Sequence, residues 1–290
     1  MKNRILAAAA ALLLSAALPA AADVSVVNGL THEKTANKGE TYESLVILKN
    51  VAAEAAEVRL YQTDYSFTAD GRKFYDSPGT GTRSNSGWIA LGQKRIVLPP
   101  LGQTELKYTV QVPAKADLAG TYWSMIMVEE QPKAAPAISG DPSKVRFGIR
   151  QVMRSGIQVV THIGESGARK IQFVKTGLLR SGSAKSLAID VLNTGERWLR
   201  PFLTADLVDE KGVSLGRFDG GRWRIFPGTS VRYTVDFGSL PDGRYKALIV
   251  LDNKDESVFG AQYTLDFTSK PTPVRAAAPP KTGKSGRAVS

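Results

Sequence analysis

Two stretches of this chain repeat the same order of turns and strands, and that doubling constrains the fold more than any other feature. The first runs Leu98-Pro99-Pro100-Leu101-Gly102, continues through an alternating segment to Tyr108-Thr109-Val110, and then reaches Gly120-Thr121-Tyr122 at the head of the apolar run Trp123 to Val128. The second runs Ile225-Phe226-Pro227-Gly228, continues to Tyr233-Thr234-Val235, and reaches Gly243-Arg244-Tyr245 at the head of Lys246 to Leu251. Upstream of each lies a matching segment that ends on asparagine, Ser44 to Asn50 and Ser186 to Asn193. Period-two alternation bounded by proline and glycine specifies strands and turns, and helical periodicity is absent after residue 22. The expected fold class is all-β.

The Gly-x-Tyr elements narrow this further. A tyrosine near the start of strand F that turns its hydroxyl back onto the backbone pins the crossover of a Greek-key sandwich, the tyrosine corner. Tyr122 and Tyr245 both stand where such a corner is expected, each after a Pro/Gly turn and a Tyr-Thr-Val strand. The chain therefore reads as two tandem immunoglobulin-like β-sandwiches, residues 23–164 and 165–267, with Gly164 to Gly167 as the hinge and 268–290 as a tail.

The ends behave differently from the middle. Lys2 and Arg4 precede an apolar run from Ile5 to Ala17 and the small residues Ala20-Ala21-Ala22, the layout of a secretory signal peptide cleaved after Ala22. The apolar run is shorter than the roughly 20 residues that cross a bilayer, so no transmembrane segment is expected and the mature chain is expected outside the cytoplasm. With no cysteine in the sequence, an exported protein must rely on packing alone. The formal charge of +11 falls to +4 once Lys2 and Arg4 and the five basic residues after Thr268-Ser269 are set aside, so the folded part carries no nucleic-acid footprint. The tail, rich in Pro, Ala, Gly and Lys/Arg, is expected to be disordered, either a solvated extension or a weak contact with the cell envelope.

Nothing in the sequence assembles a catalytic or metal-binding motif. His32 and His162 are far apart, and neither has a partner at metal-ligand spacing. Asp206, Asp209 and Glu210 flank the turn at Lys211-Gly212, where acidic residues are ordinary turn formers. Gly79-Thr80-Gly81 and Asp219-Gly220-Gly221 open no helix, so no phosphate cradle forms. Trp88, Trp123, Trp198 and Trp223 offer rings for sugar stacking, although Trp123, inside an apolar strand, is expected to fill the core. No enzyme, cofactor or metal is expected.

The stretch between the modules carries the functional signal. A loop rich in proline, Gln131 to Ser143, is followed by a long strand from Lys144 to Thr161. Val145, Phe147, Ile149, Gln151, Met153, Ile157 and Val159 fall on one face, and Arg146, Arg150 and Arg154 share the other with Gly148 and Val152. Such a strand either closes the first sandwich with its arginines in solvent, or leaves an edge open for β-augmentation by another polypeptide.

Two Ig-like modules, a secretory signal, and a loop followed by an alternating apolar strand at the end of module one resemble the periplasmic pilus-assembly chaperones of the chaperone/usher type. That resemblance covers nearly all of the chain except the tail. It implies that Val145, Phe147 and Ile149 are lent to an incomplete pilus subunit, and that Arg154, where the family usually has lysine, grips the subunit's C-terminal carboxylate, with Lys34 as the loosely matched second anchor. A guanidinium can do this bidentately. It further implies an extracellular or pilus subunit, and an outer-membrane usher, as partners. The alternative is a structural envelope protein or adhesin whose paired modules and basic tail contact cell-surface polymer; the segment Asp64 to Trp88 is not a feature expected of the chaperone family.

Overall fold

The computed structural model describes residues 23–132 and 152–268. The expected signal peptide, most of the loop before the long strand, the triplet Val145, Phe147 and Ile149, and the basic tail all lie outside the described residues. Within them the chain is all-β, with one short 3-10 turn at Ser86–Trp88 and no α-helix. It divides into two compact units: one takes the chain up to Lys170 with Asn193–Leu199 and Ile225–Ser230, the other takes Ile171–Leu192, Arg200–Arg224 and the chain from Val231 onward.

The first unit is a sandwich of two sheets. One sheet is ordered β1 (Val24–Val26), β3 (Thr41–Asn50), β8 (Gln103–Gln111), β6 (Ile89–Leu91). The other is ordered β2 (Thr31–Ala36), β10 (Arg154–Ile163), β9 (Gly120–Glu130), β4 (Ala56–Phe67), β5 (Lys73–Asp76), with β7 (Arg95–Leu98) also on β4. The first strand is thus split between sheets. β1 pairs antiparallel with β3, and β2 pairs parallel with β10. The switch is made at Val27–Leu30, where Gly29 adopts φ +92°, a conformation that only glycine takes without strain.

Alternation builds the core between these sheets. Val46 and Leu48 from β3, Leu106, Tyr108 and Val110 from β8, Val58 and Leu60 from β4, Ile126 and Val128 from β9, and Ile157 and Val159 from β10 form one buried cluster. Each strand contributes every second residue, as a half-buried pleat requires.

The second unit follows a three-plus-four plan. β11 (Ile171–Ser181), β12 (Ala184–Asn193) and β15 (Ser230–Ser239) make one sheet; β14 (Ser214–Arg222), β13 (Phe202–Asp209), β16 (Arg244–Asp252) and β17 (Val258–Asp266) make the other. Buried residues again alternate: Leu203, Ala205 and Leu207; Tyr233, Val235 and Phe237; Tyr245, Ala247, Ile249 and Leu251. These are the Ig-like sandwiches expected from the doubled pattern.

The repeat is also visible in hydrogen bonding. Asn50 is fully buried, donates from Nδ2 to the Glu54 and Pro99 carbonyls (2.7 and 3.0 Å), and accepts from Ala52 N–H at Oδ1 (3.0 Å). Asn193, also fully buried, donates to the Arg197 and Ile225 carbonyls (both 2.9 Å) and accepts from Gly195 N–H (2.9 Å). In each copy one asparagine ties the end of a strand to its own turn and to the Pro/Gly turn opposite.

The two tyrosines part ways. Tyr245 donates its hydroxyl to the Pro241 carbonyl at 2.8 Å, the expected corner. Tyr122 instead packs its ring on Trp88, 4.7 Å between centroids, under the Arg83 guanidinium. The reason is local. Gly120 adopts φ +79°, and Glu196 comes so close that its carbonyl oxygen is 2.2 Å from where a Cβ on Gly120 would stand. Thr121 N–H donates to that same carbonyl at 2.8 Å, so backbone pairing fixes this turn without a tyrosine hydroxyl.

The segment from Asp64 to Trp88 belongs to the first sandwich. Tyr65 and Tyr75 pair across β4 and β5 with rings 5.4 Å apart. The chain then folds back, and the buried Asp64 carboxylate accepts from Gly81 N–H (2.7 Å) and the Ser84 hydroxyl (2.6 Å). That places Asn85, fully buried, to bond Val159 O, Thr161 Oγ1 and Ser124 Oγ at 3.1, 3.1 and 2.7 Å.

Candidate functional site

β10 sits between two neighbours over only part of its length. β9 pairs with it antiparallel from Arg154 to Ile163, whereas β2 pairs with it only from Gln158 to Ile163, starting at the bond from Gln158 N–H to Leu30 O (2.9 Å). From Arg154 to Ile157 no described strand pairs with the second edge. This is also the end of β10 into which the chain runs from the expected donor residues. An edge that stops pairing partway presents unpaired N–H and C=O groups to any segment that lies alongside.

The two faces of β10 separate as the alternation predicts. Ile157, Val159, Thr161 and Ile163 turn inward and are buried. Arg154, Gly156, Gln158, Val160 and His162 share the opposite face, and further along that face is covered too: Val160 packs with Trp123 and Phe226, whose rings stack at 4.6 Å. Trp123 fills this cluster, as expected. Toward the start of the strand the face opens: Gln158 and Gly156 are half-buried, and the Arg154 side chain is 59% exposed.

Arg154 is already engaged. Its Nε lies 2.7 Å from Glu129 Oε2, directly across β9, and Glu129 also meets Arg59 (3.2 Å) and the Tyr61 hydroxyl (3.1 Å). Burial pushes the Glu129 carboxyl up, but the Tyr61 hydroxyl and the Arg154 and Arg59 guanidiniums outweigh it and hold the group below its ordinary value. Lys34 lies elsewhere, opposite Thr161 in the β2/β10 register. Seven residues of strand, about 23 Å, separate that level from Arg154. The two expected anchors therefore do not converge on one carboxylate.

Sequence reasoning left His162 without a carboxylate, and the fold supplies one. His162, 2% exposed, lies 2.9 Å from Glu33 Oε1 through Nε2 and 2.9 Å from Thr121 Oγ1 through Nδ1. Thr121 Oγ1 in turn accepts from Trp198 N–H at 2.9 Å, and the Glu33 carboxylate can only accept, so the imidazole donates to it from Nε2. The hydroxyl, carboxylate and imidazole have the order of a hydrolytic triad, but Thr121 is fully buried with its oxygen engaged. The arrangement ties β2, β10 and β9 to the Asn193–Leu199 segment. No signal in the sequence marks it, because the parallel β2/β10 register alone brings Glu33 within reach.

His32 faces Tyr108, with Nδ1 2.9 Å from the hydroxyl and the rings stacked at 6.0 Å. The acidic residues near Lys211 divide: Asp209 caps the turn through Lys211 and Val213 N–H (2.9 and 2.8 Å), while Asp206 grips Arg217 with both oxygens (2.7 and 2.9 Å). Among the described residues no group of three or more His, Cys, Asp or Glu could hold a metal ion, and no helix is long and apolar enough to cross a membrane.

No family model matches this chain, and no curated protein sequence does. Solved structures do, and many of them are chaperone–usher pilus chaperones at low sequence identity. A structure from a chaperone–tip adhesin complex of CFA/I fimbriae aligns with TM-score 0.46 and 12% identity over 84% of this chain and 98% of that one. The class 5 fimbriae chaperone CfaA aligns at 0.43 and 10%, over 82% and 98%. The CsuC–CsuE chaperone–tip subunit complex of Acinetobacter baumannii aligns at 0.42 and 14%, over 83% and 98%.

Proposed function

We propose that this chain is a chaperone-like protein of the periplasm that binds a fimbrial or other surface subunit by lending it the strand leading into β10. The observation that carries this reading is the half-open edge: β9 holds one side of Arg154–Ile157, and β2 joins the other side only at Gln158. A subunit strand laid along that edge would gain main-chain hydrogen bonds, and the alternate residues Val145, Phe147 and Ile149 just upstream would enter its pockets. An outer-membrane usher is the further partner that such a role implies.

Arg154 serves as the carboxylate anchor in this reading. It is fixed through Nε to Glu129 yet remains largely exposed, and a guanidinium has five N–H donors. Lys34, about seven strand residues away, is not part of the same anchor in this reading. The test is recovery of bound proteins from periplasm by the full-length chain. Replacing Val145, Phe147 and Ile149 together by threonine should abolish recovery, and Arg154→Ala should weaken it; equal recovery by wild type and the triple variant overturns strand lending.

A further inference from the structure

We infer that the open edge of β10 selects the strand it pairs with, favouring one that sets a large apolar side chain, best an aromatic one, opposite Gly156 and a carboxylate two residues away, opposite Arg154. The inference rests on the strand-lending reading above and names the chemistry of the partner. Backbone parity decides which residues face that edge. Gln158 N–H goes to Leu30 O on the β2 side, whereas Met153 O accepts from Glu130 N–H on the β9 side. Groups alternate along a strand, so Arg154 and Gly156 turn their N–H and C=O to the open edge, and a strand laid there pairs with them directly. The side chains it sets opposite these two residues fall on the outer face of the sheet.

Two rows of side chains run across this face. Arg154, Glu129 and Arg59 form the first, with the Glu129 carboxylate 2.7 Å from Arg154 and 3.2 Å from Arg59. The row alternates in sign and ends at the open edge on a guanidinium whose side chain is 59% exposed. Two arginines share one carboxylate, so an acidic residue on the incoming strand continues the row and a basic one is repelled. Gly156, Met127 and Tyr61 form the second row. A Cβ on Gly156 would stand 3.2 Å from Met127 Sδ and would meet the Met125 methyl sooner still. Gly156 is not among the residues with positive φ, so the backbone does not require glycine there. Its effect is to leave no side chain between the open edge and the two thioethers. Over them lies a cavity of about 420 Å³ with Tyr61, Thr63 and Tyr75 among its walls. A side chain leaning across Gly156 spans one strand spacing, about 4.8 Å, to reach the Met125 methyl and this cavity, a distance that suits phenylalanine or leucine and not alanine or valine. Contact between thioether and ring favours phenylalanine.

The test is binding of short synthetic strands to the full-length protein, each an alternation of threonine and valine carrying Phe and Asp two residues apart, made in both chain orders. For the tighter order, replacing Phe by Ala is expected to weaken binding about tenfold, and replacing Asp by Asn about threefold. With Arg154→Glu, the peptide carrying Lys in place of Asp should become the tighter ligand, a reversal that loss of structure does not produce. Gly156→Val, which puts a side chain where the Met125 methyl leans, should remove the preference for Phe and keep the preference for Asp. If the Phe/Asp, Ala and Asn peptides all bind alike, the edge pairs without selecting side chains; the inference is overturned and strand lending stands. If no peptide binds while recovery of periplasmic proteins still depends on Val145, Phe147 and Ile149, the inference alone is overturned. If that recovery fails as well, both are.

Discussion

Arg154 and Glu129 stand directly opposite each other on the antiparallel β9/β10 pair, with Arg154 Nε 2.7 Å from Glu129 Oε2. Their environments differ, since the arginine side chain is 59% exposed and the carboxylate 10%. The pair is therefore asymmetric to mutation. Arg154→Ala leaves Arg59 and Tyr61 on the carboxylate and should cost about 0.5 kcal/mol, the scale of an exposed ion pair. Glu129→Ala strands two guanidiniums and a hydroxyl and should cost about 2 kcal/mol. Because neighbours hold the Glu129 pKa down, its contribution to stability is full above the ordinary carboxylate range and is lost as pH falls through the lowered value. Carboxyl 13C titration should show the Glu129 pKa rising in Arg154→Ala; an unchanged value would mean that Arg154 does not set it.

Asn50 and Asn193 make the same three hydrogen bonds in the two copies of the repeat. Leucine matches asparagine in size but can make none of them, and alanine leaves the same groups unsatisfied with a void besides. Asn50→Ala and Asn193→Ala should each cost about 2 to 3 kcal/mol, with two carbonyls and an N–H left without a partner in a buried site. Denaturant unfolding of each variant checks this. A loss below about 0.5 kcal/mol in either would show that water replaces the side chain there.

These asparagines were legible because they sit at fixed places in a local pattern: a strand end, two or four residues of turn, and a Pro/Gly turn further on. The same holds for Tyr245, whose bond to Pro241 spans four residues. Tyr245→Phe should cost about 1 kcal/mol, and Tyr122→Phe close to nothing, since Tyr122 works through its ring. Comparing the two unfolding midpoints tests the distinction. What the sequence did not disclose depends on contacts between distant strands. Glu33 reaches His162 only through the parallel β2/β10 pairing, and Asn85 reaches Val159 only after the Asp64-anchored loop folds back. The separation of Lys34 from Arg154 has the same origin, because register, which sets it, is not written in either strand alone.

His32 provides a pH test of the first sandwich. Burial lowers its pKa, and a hydrogen bond with the Gly29 backbone only partly offsets this. The fold thus prefers neutral imidazole, while the unfolded chain takes up a proton as pH falls below the ordinary histidine range. Stability contributed by His32 is therefore complete above about pH 6.5 and declines below it. Replacement by glutamine, His32→Gln, removes the titration while keeping a hydrogen-bonding group near Tyr108. Denaturant midpoints measured at about pH 7.5 and about pH 5.5 should fall further in wild type than in the variant. Every other group is common to the two proteins, so the difference between the two falls isolates His32. An equal fall would assign the acid sensitivity of this unit to groups other than His32.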